Sequence, residues 1–409
     1  MRVLISSLQV STSGSKGHLH PALELAIYGK QRGHETILLP LPSKFGDNDR
    51  EQIELAGIKY LDPPALPQSI IKSTEQLAQL AKDPQKTWQA YHSFLVAPLI
   101  KQFSGILTLM EKINPHVVVY DMMVYGASLS ARKLSIPDIG YCPGLKIVAP
   151  DQYLHTYQRY KEHLTGDLDH FLQSIAIDAE FRYLELLSDY GHMVFSTNGF
   201  IKDLTYAPKN THLVGALPIS KERAASVNSG QKIDDNTNFA LLSFGSVLDP
   251  ADYMHVTKAI FDATKACGIQ LLLSSRKLAQ GGNLPPHVKA YPYLPLPKLL
   301  SKAKIFFNHG GANSCMEALS IGTPQVIIPL TNDQPIQAHY LRESGVGLAI
   351  NPTDIYVESL GDLMRKLLDQ KNPIHEAIKK TATEFQRSNG AMNAFQYIER
   401  IVHERSSQG

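Results

Sequence analysis

A stretch around residue 310 joins glycines, a histidine and a helix-forming segment in an order suited to binding phosphate. It runs from an apolar, strand-like segment through a small-residue turn into a helical pattern: Phe307-Asn308-His309-Gly310-Gly311-Ala312-Asn313-Ser314-Cys315-Met316-Glu317-Ala318. The glycines let the backbone approach an anion, and the N–H groups of the first helical turn, at Ala312, Asn313 and Ser314, point toward it. His309 adds a hydrogen-bond donor. Such turns are common in doubly wound folds, so this one alone is equally compatible with a plain strand-to-helix connection.

A second group of residues is suited to moving a proton. His18 follows the first strand-like segment, and histidine has a pKa suited to accepting a proton from a hydroxyl at neutral pH. Asp121 follows another such segment and is expected to hold the far imidazole nitrogen, which fixes the tautomer. Two other interpretations stay open: His20 is the alternative base, and Asp121 caps the following helix instead.

Strand-like runs alternate with helix-length amphipathic segments, which predicts an α/β fold with parallel sheets. The first series comprises Val3–Ser7, Thr36–Leu39, His116–Tyr120, Asp138–Tyr141 and Met193–Ser196. The second series comprises Phe239–Ser243, Gln270–Ser274, Val288–Tyr293, Lys304–Asn308 and Gln325–Pro329. We therefore predict two Rossmann-like domains facing a cleft, where ligands of open α/β sheets usually bind.

Length and composition suggest where these domains begin and end. A chain of 409 residues is too long for one compact core. We expect an N-terminal domain over 1–219, a polar linker over 220–238, a second domain over 239–390, and a C-terminal helix over 391–409 that packs back on the first domain. The segments after Tyr356 predict three helices and no further strand: Val357–Gln370, His375–Ser388 and Ala391–Glu404.

Charge and cysteine content exclude several classes of protein. With 40 Lys and Arg against 38 Asp and Glu, the formal net charge of +2 gives little support for binding nucleic acid. The three cysteines show no CxxC spacing, which argues against a disulfide framework or a zinc site and favours a reducing cytoplasm. Met1–Ser7 is expected to be a strand rather than a signal peptide. No run of 18 apolar residues predicts a membrane span, although a peripheral membrane contact stays open.

Six elements, in order and with matching spacing, resemble the donor-binding signature of the family 1, UDP-dependent glycosyltransferases of the GT-B fold. They are His309-Gly310-Gly311, Ser314, Glu317-Ala318, Gly322-Thr323-Pro324, Pro329 and Asp333-Gln334. The resemblance covers nearly the whole chain through further matches at Gly17-His18, Pro21, Tyr120-Asp121, Ser243-Phe244-Gly245-Ser246 and Tyr293-Leu294-Pro295.

This resemblance implies roles for individual residues. The residues implied to contact the donor diphosphate are Ser246, His309, Asn313 and Ser314. The turn itself adds the backbone at Gly311 and Ala312, and Arg276 ends a strand, from where it is expected to reach the diphosphate. Glu317 is implied to hold the ribose hydroxyls, and Asp333 and Gln334 the sugar hydroxyls, with Gln334 favouring glucose. Tyr293 stands where plant members have a tryptophan that stacks on uracil. Leu296 replaces a glutamine, which leaves the choice between uracil and thymine open.

The resemblance also implies a reaction: transfer of a hexose from a UDP-sugar to a hydroxyl of a small apolar acceptor, with inversion at the anomeric carbon. His18 would act as the base and Asp121 would orient it, with neither metal nor other cofactor. Two DxD-like motifs are expected to bind no metal, because Asp47-Asn48-Asp49 is predicted to be a polar loop and Asp167-Leu168-Asp169 a solvated helix face. A nucleotide-sugar epimerase and a non-catalytic binding protein of the same fold stay open as alternatives.

Acceptor specificity is expected in the N-terminal domain, in segments 63–97 and 145–185. Their neighbourhood offers aromatic side chains that either line an acceptor pocket or belong to the core: Tyr91, Phe94, Tyr125, Tyr153, Tyr157 and Phe171. A nicotinamide dehydrogenase is excluded, because Ser13-Gly14-Ser15-Lys16-Gly17 has the wrong order for a G-x-G-x-x-G turn.

Overall fold

The computed structural model describes residues 1–10, 16–67, 85–217, 238–245, 248–281 and 283–407, together with Ile70, Gln76, Leu80, Asp83 and Ile219. The chain divides into two compact units. The first unit comprises Met1–Phe195, Asp203–Leu217 and Gly390–Gly409, and the second comprises Ser196–Lys202 and Pro218–Asn389. Of the linker predicted over 220–238, Asn238 alone lies within the described residues.

Seven parallel strands form the sheet of the first unit, and two further strands form a small antiparallel hairpin. In chain order the strands are β1 Arg2–Gln9, β2 Glu35–Pro42, β3 Lys59–Tyr60, β4 Val117–Asp121, β5 Asp138–Cys142, β6 Phe181–Arg182, β7 Glu185–Leu186, β8 His192–Val194 and β9 Thr211–Leu213. The sheet order is β3-β2-β1-β4-β5-β8-β9, and β6 pairs with β7. Val117–Val119 are fully buried, as expected for a parallel sheet that is covered on both faces.

Helices cover this sheet. The α-helices are Lys16–Gln31, Asp47–Leu55, Thr87–Tyr91, Ala97–Ile113, Tyr125–Lys133, His155–Ser174 and Gly390–Ser406, with a π-helical turn at His92–Val96. The C-terminal helix belongs to this unit because Phe395 is buried in its core. A Cβ atom at Gly29 would lie 2.2 Å from the Phe395 ring, so glycine at that position allows the two helices to approach closely.

Six parallel strands form the sheet of the second unit. They are β10 Phe239–Ser243, β11 Gln270–Ser274, β12 Val288–Tyr291, β13 Ile305–Asn308, β14 Gln325–Ile327 and β15 Leu348–Ala349, in the order β12-β11-β10-β13-β14-β15. Its α-helices are Met254–Ala266, Arg276–Ala279, Leu296–Leu300, Ala312–Ile321, Gln334–Glu343, Val357–Leu368 and Ile374–Arg387. Alternate residues of one strand face opposite cores, since Leu241 packs with Phe306 while Leu242 packs with Phe307.

The predicted α/β class with two Rossmann-like domains is confirmed, with two corrections of detail. Residues 196–202, expected in the first domain, cluster with the second unit, because the Phe200 ring packs 5.7 Å from that of Phe385. The segment Asp47–Asp49, expected to be a loop, begins a helix whose first turn carries both carboxylates, where they complement the helix dipole.

One helical stretch, Thr87–Ile113, is long and apolar enough to cross a membrane by length and composition alone. Its apolar side chains Leu99, Phe103, Ile106 and Met110 recur at helical spacing and are buried in the first unit. The core helix of a globular domain meets the same criteria of length and composition, and this stretch packs in the first unit as a core helix does.

Candidate active site

In the first unit, His18 and Asp121 lie in direct contact although 103 residues separate them in sequence. His18 Nδ1 lies 2.5 Å from Asp121 Oδ2. The Asp121 side chain is fully buried at the end of β4, whereas 27% of the His18 side chain is exposed, in the first turn of its helix. With its proton on Nδ1, the imidazole donates to the carboxylate and keeps Nε2 available to accept a proton.

Asp121 also forms hydrogen bonds with the backbone that follows β4. Its other oxygen, Oδ1, accepts the Met123 N–H at 3.0 Å, and its own carbonyl accepts the Val124 N–H. The carboxylate therefore fixes the turn after β4 and contacts His18 at the same time. It does not cap the following helix, whose N-cap residue is Val124.

His20 lies in the same helix as His18, two positions further along. Two positions correspond to about 200° around an α-helix, so the two side chains leave the helix in different directions. Tyr141, fully buried on β5, places its hydroxyl 3.2 Å from the Ser6 carbonyl oxygen and 3.5 Å from that of His18, which links the start of the helix to the sheet.

In the second unit, a turn of three residues joins β13 to the helix Ala312–Ile321. Gly310 has φ of +91°, a backbone conformation that favours glycine, and Gly311 is the N-cap residue. Gly311 has no side chain that could cap this helix, and no acidic residue lies in its first turn. The N–H groups of a first helical turn have no intrahelical acceptor, so this helix N-terminus is suited to an anion supplied by a ligand.

His309 lies between two glycines at this turn. A Cβ atom at Gly311 would lie 2.6 Å from its Cε1 atom, and one at Gly245 would lie 2.9 Å from the same atom. The side chain is buried, and Nδ1 makes no hydrogen bond within the described residues. Burial lowers the pKa of His309 to about 4, against the opposing influence of the Asp333 carboxylate and the Ser243 backbone. His309 is therefore neutral at pH 7 and offers one N–H donor.

The other residues predicted for the donor occupy three segments of the second unit. Asn313, Ser314 and Glu317 are half-buried on the helix that follows the turn, where spacings of three and four residues put Glu317 on the same side as the other two. Asp333 precedes the helix Gln334–Glu343 and is half-buried. Tyr293 lies between β12 and the helix that begins at Leu296, with 41% of its surface exposed.

Gln334 is buried, and its side chain is already engaged by the protein. Its Oε1 atom accepts the N–H groups of Leu330 and Thr331 at 2.7 and 2.8 Å. The side chain therefore shapes the loop after β14, and a contact with a ligand would have to use its Nε2 amide. This structural role was not apparent from the sequence.

Arg276 is exposed at the start of the short helix after β11. Asp249, which the sequence analysis missed, organises this region: its carboxylate accepts the Ser275 hydroxyl at 2.5 Å and the Arg276 N–H at 3.1 Å. Asp249 thereby ties the segment after β10 to the end of β11. Ser246, predicted to contact the diphosphate, lies outside the described residues.

Most of the aromatic residues considered for an acceptor pocket belong to the core of the first unit. Tyr91, Tyr125, Tyr157 and Phe171 are buried, while Phe94 and Tyr153 are half-buried. The predicted helix face at Asp167 and Asp169 is exposed. Within the described residues, no group of three His, Cys, Asp or Glu side chains is arranged to hold a metal ion.

Comparison with known proteins gives matches to glycosyltransferases. Residues 262–389 match the family described as "Erythromycin biosynthesis protein CIII-like, C-terminal domain". The NDP-glycosyltransferase YjiC of Bacillus licheniformis is 22% identical over 400 residues, which cover 94% of this chain and 95% of that relative. These matches support a glycosyltransferase and do not favour an epimerase.

Solved structures share the fold. The glycotransferase of kitacinnamycin superposes with a TM-score of 0.74 at 21% identity and covers 98% of both chains. The glycosyltransferase VinC, solved in complex with DTDP, gives a TM-score of 0.67 at 16% identity, covering 99% of this chain and 100% of VinC. Considered with the sequence matches, they support a family 1 glycosyltransferase with the GT-B fold.

Proposed function

We propose that this chain transfers a hexose, with glucose as the first candidate, from a UDP-sugar to a hydroxyl group of a small apolar acceptor, with inversion at the anomeric carbon. The observation that carries this proposal is the 2.5 Å contact between His18 Nδ1 and the fully buried Asp121 carboxylate. A histidine held in this way has one nitrogen fixed as a donor and the other ready to accept a proton.

His18 Nε2 takes the proton of the acceptor hydroxyl as the hydroxyl oxygen attacks the anomeric carbon. The new C–O bond forms while the bond from that carbon to the diphosphate breaks, and the diphosphate leaves with the electron pair. Asp121 stabilises the imidazolium that forms, because its carboxylate already accepts the Nδ1 proton. A single displacement of this kind inverts the anomeric centre, so an α-linked donor gives a β-glycoside.

The charge that develops on the leaving diphosphate is stabilised at the turn before Ala312. The helix N-terminus supplies backbone N–H groups, and neutral His309 supplies one further donor. These groups take the part that a metal ion would otherwise play, so we propose that turnover needs no metal. Ser246, Asn313 and Ser314 are assigned to the same diphosphate.

The remaining donor contacts are those that the family resemblance implies, and the chemistry of the residues suits them. Glu317 accepts hydrogen bonds from the ribose hydroxyls, and Tyr293, exposed over 41% of its surface, offers a ring face to the base. Asp333 and Gln334 bind the sugar hydroxyls, and Arg276 lies at the diphosphate. The VinC complex contains DTDP, so the choice of UDP is the part of this proposal that a test of both nucleotides must decide.

We also propose a cytoplasmic enzyme. All three cysteines, Cys142, Cys267 and Cys315, are free thiols, which suits a reducing compartment.

The test is a donor and acceptor screen with purified protein. UDP-glucose, UDP-galactose, UDP-N-acetylglucosamine and dTDP-glucose are each incubated with aromatic, polyketide and terpenoid alcohols, with and without EDTA, and products are detected by mass spectrometry. We expect a β-linked product whose yield EDTA leaves unchanged, and NMR of the anomeric proton reads the linkage. An α-linked product, or activity lost with EDTA and restored by Mg²⁺ or Mn²⁺, would overturn the mechanism. Conversion of the donor sugar without any acceptor would favour an epimerase.

A further inference from the structure

Three buried polar side chains lie directly beneath the turn His309–Gly311, called the phosphate turn here because the donor diphosphate is proposed to bind to it. Asn308 and Gln325 are 0% exposed and Cys315 is 1% exposed. They come from three different elements: Asn308 ends β13, Gln325 begins β14, and Cys315 lies in the helix that follows the turn. A buried amide is costly unless its groups are hydrogen-bonded, so the arrangement of their partners is informative.

The hydrogen bonds of these side chains form a closed network. Asn308 Oδ1 accepts the Gly310 N–H at 2.8 Å and the Cys315 thiol at 3.4 Å. Asn308 Nδ2 donates to Gln325 Oε1 at 3.0 Å, and Gln325 Nε2 donates to the Cys315 carbonyl oxygen at 3.2 Å. Burial raises the pKa of the Cys315 thiol, which keeps its proton available for donation.

This network controls the backbone at the turn. Gly310 adopts φ of +91° while its N–H points inward to Asn308. A second anchor connects Gln325 to the first turns of the helix through the Cys315 carbonyl. Both ends of the segment that would meet the diphosphate are therefore tied to the same pair of buried amides.

We propose that Asn308 and Gln325 are positioning residues for the donor diphosphate: they hold the turn and the helix N-terminus in the geometry that receives it. This inference rests on the proposed donor site. Neither side chain would touch the donor, since both are fully buried beneath the turn. The loss expected on their removal is a loss of diphosphate binding rather than of base or ribose recognition.

The test compares shape-preserving variants with a matched control. Asn308→Leu removes the acceptor for the Gly310 N–H, Gln325→Met removes the second anchor, and Asn308→Ser keeps an oxygen two residues before Gly310. Thr264→Val is the control, because it also removes buried hydrogen bonds, from its Oγ1 to the carbonyl oxygens of Ile260 and Phe261 at 2.8 and 2.9 Å, in the helix Met254–Ala266 of the same unit. Binding of UDP, dTDP and uridine is measured by calorimetry, and the melting temperature is recorded for each variant.

We expect Asn308→Leu to weaken binding of the nucleoside diphosphate roughly tenfold or more, Gln325→Met to weaken it less, and Asn308→Ser to restore part of the loss. Uridine affinity should change little. Thr264→Val should lower the melting temperature and leave all affinities unchanged. Equal diphosphate affinity in Asn308→Leu and Thr264→Val would overturn the inference.

Hydrogen exchange in the ligand-free proteins provides a second measurement that does not depend on the donor. Asn308→Leu should speed exchange at the amides of 310–315 and leave the remainder of the second unit close to wild type. Unchanged exchange at these amides, or an increase spread over the whole unit, would overturn the positioning role. Failure of the wild-type protein to bind either nucleoside diphosphate would instead overturn the proposed function.

Discussion

His18 in the first unit and His309 in the second both lie near the carboxyl end of a parallel strand, and their surroundings differ in almost every respect. His18 contacts a buried carboxylate and keeps part of its ring exposed. His309 is buried between Gly245 and Gly311, and its Nδ1 has no hydrogen-bond partner among the described residues. Burial lowers the pKa of His309 to about 4, and the opposing influence of the Asp333 carboxylate and the Ser243 backbone is too small to offset it.

This difference shows two ways of building a site on one architecture. The first unit uses the functional groups of two side chains, so a change of chemistry that preserves shape should matter most there. The second unit uses main-chain groups and the space left by glycines, so a single added methyl group should matter there. The predictions below test this contrast.

The largest effect is expected at His18. If its Nε2 accepts the acceptor proton, His18→Ala should lower kcat by roughly 10²–10⁴-fold, the usual contribution of a general base. Affinity for UDP, measured by calorimetry, should stay unchanged because donor binding is assigned to the second unit. His20→Ala is the control and should retain turnover. Loss of turnover in His20→Ala with activity kept in His18→Ala would show that the other histidine is the base.

Replacing the carboxylate of the pair should have a smaller effect. Asp121→Asn keeps the shape but removes the negative charge that supports the imidazolium, so kcat should fall by roughly 10–10²-fold. The double variant His18→Ala/Asp121→Asn should be little slower than His18→Ala, since Asp121 acts through His18. Steady-state kinetics of the wild type, the two single variants and the double variant complete a double-mutant cycle. Losses of kcat that simply multiply would argue against a coupled pair.

A methyl group added beside His309 tests the second unit. Gly311 has φ of −64°, which alanine adopts without strain, so Gly311→Ala acts through its Cβ atom alone, 2.6 Å from the imidazole. Displacing the ring should weaken nucleoside diphosphate binding roughly tenfold in calorimetry. Gly166→Ala is the control, because a Cβ atom there meets nothing within 4 Å. Unchanged affinity in Gly311→Ala would show that the space between the glycines is not needed.

The parts of the fold that the sequence predicted are those with a repeated local pattern. Long apolar runs such as β10 and β11 were predicted with their observed bounds, Phe239–Ser243 and Gln270–Ser274. Strands β3, β9 and β15 were missed, because two or three residues at a sheet edge carry no detectable period. Their pairing depends on the neighbouring strand and not on their own sequence.

The candidate site shows the same division. The turn around His309 is contiguous in sequence, so its geometry could be predicted from the order of its residues. The contact of Asn308 with Gln325 could not, because it joins two strands 17 residues apart and depends on their register. The one indication in the sequence was that Asn308, a polar residue, ends the apolar run of β13. The hydrogen bonds of Gln334 Oε1 with the Leu330 and Thr331 N–H groups are local, but they depend on the conformation of the loop after β14, which the order of residues did not indicate.

The smallest expected effect concerns acid stability, and it separates the site histidine from a structural one. His192 in the first unit is buried like His309, and burial lowers its pKa to about 4 as well. Between pH 6.5 and 4 such a histidine is protonated in the unfolded chain, where its pKa is near 6.5, but stays neutral in the folded protein. Its contribution to the free energy of unfolding is therefore fully present above pH 6.5 and is lost as the pH falls toward 4. At pH 5.5 each residue should cost about 1 kcal/mol of unfolding free energy.

His309→Gln and His192→Gln should each remove about 1 kcal/mol of the difference in stability between pH 7.5 and 5.5, measured by urea unfolding, because glutamine takes no proton in either state. Only His309→Gln should also weaken nucleoside diphosphate binding. His192 belongs to the first unit, where its Nε2 accepts the Ser188 N–H at 2.9 Å, and it has no proposed part in donor binding. A wild-type pH dependence in His309→Gln would mean that the imidazole is not held neutral by burial. In that case both His18 and His309 could take a proton, and the two histidines would differ only in that His18 has a carboxylate partner.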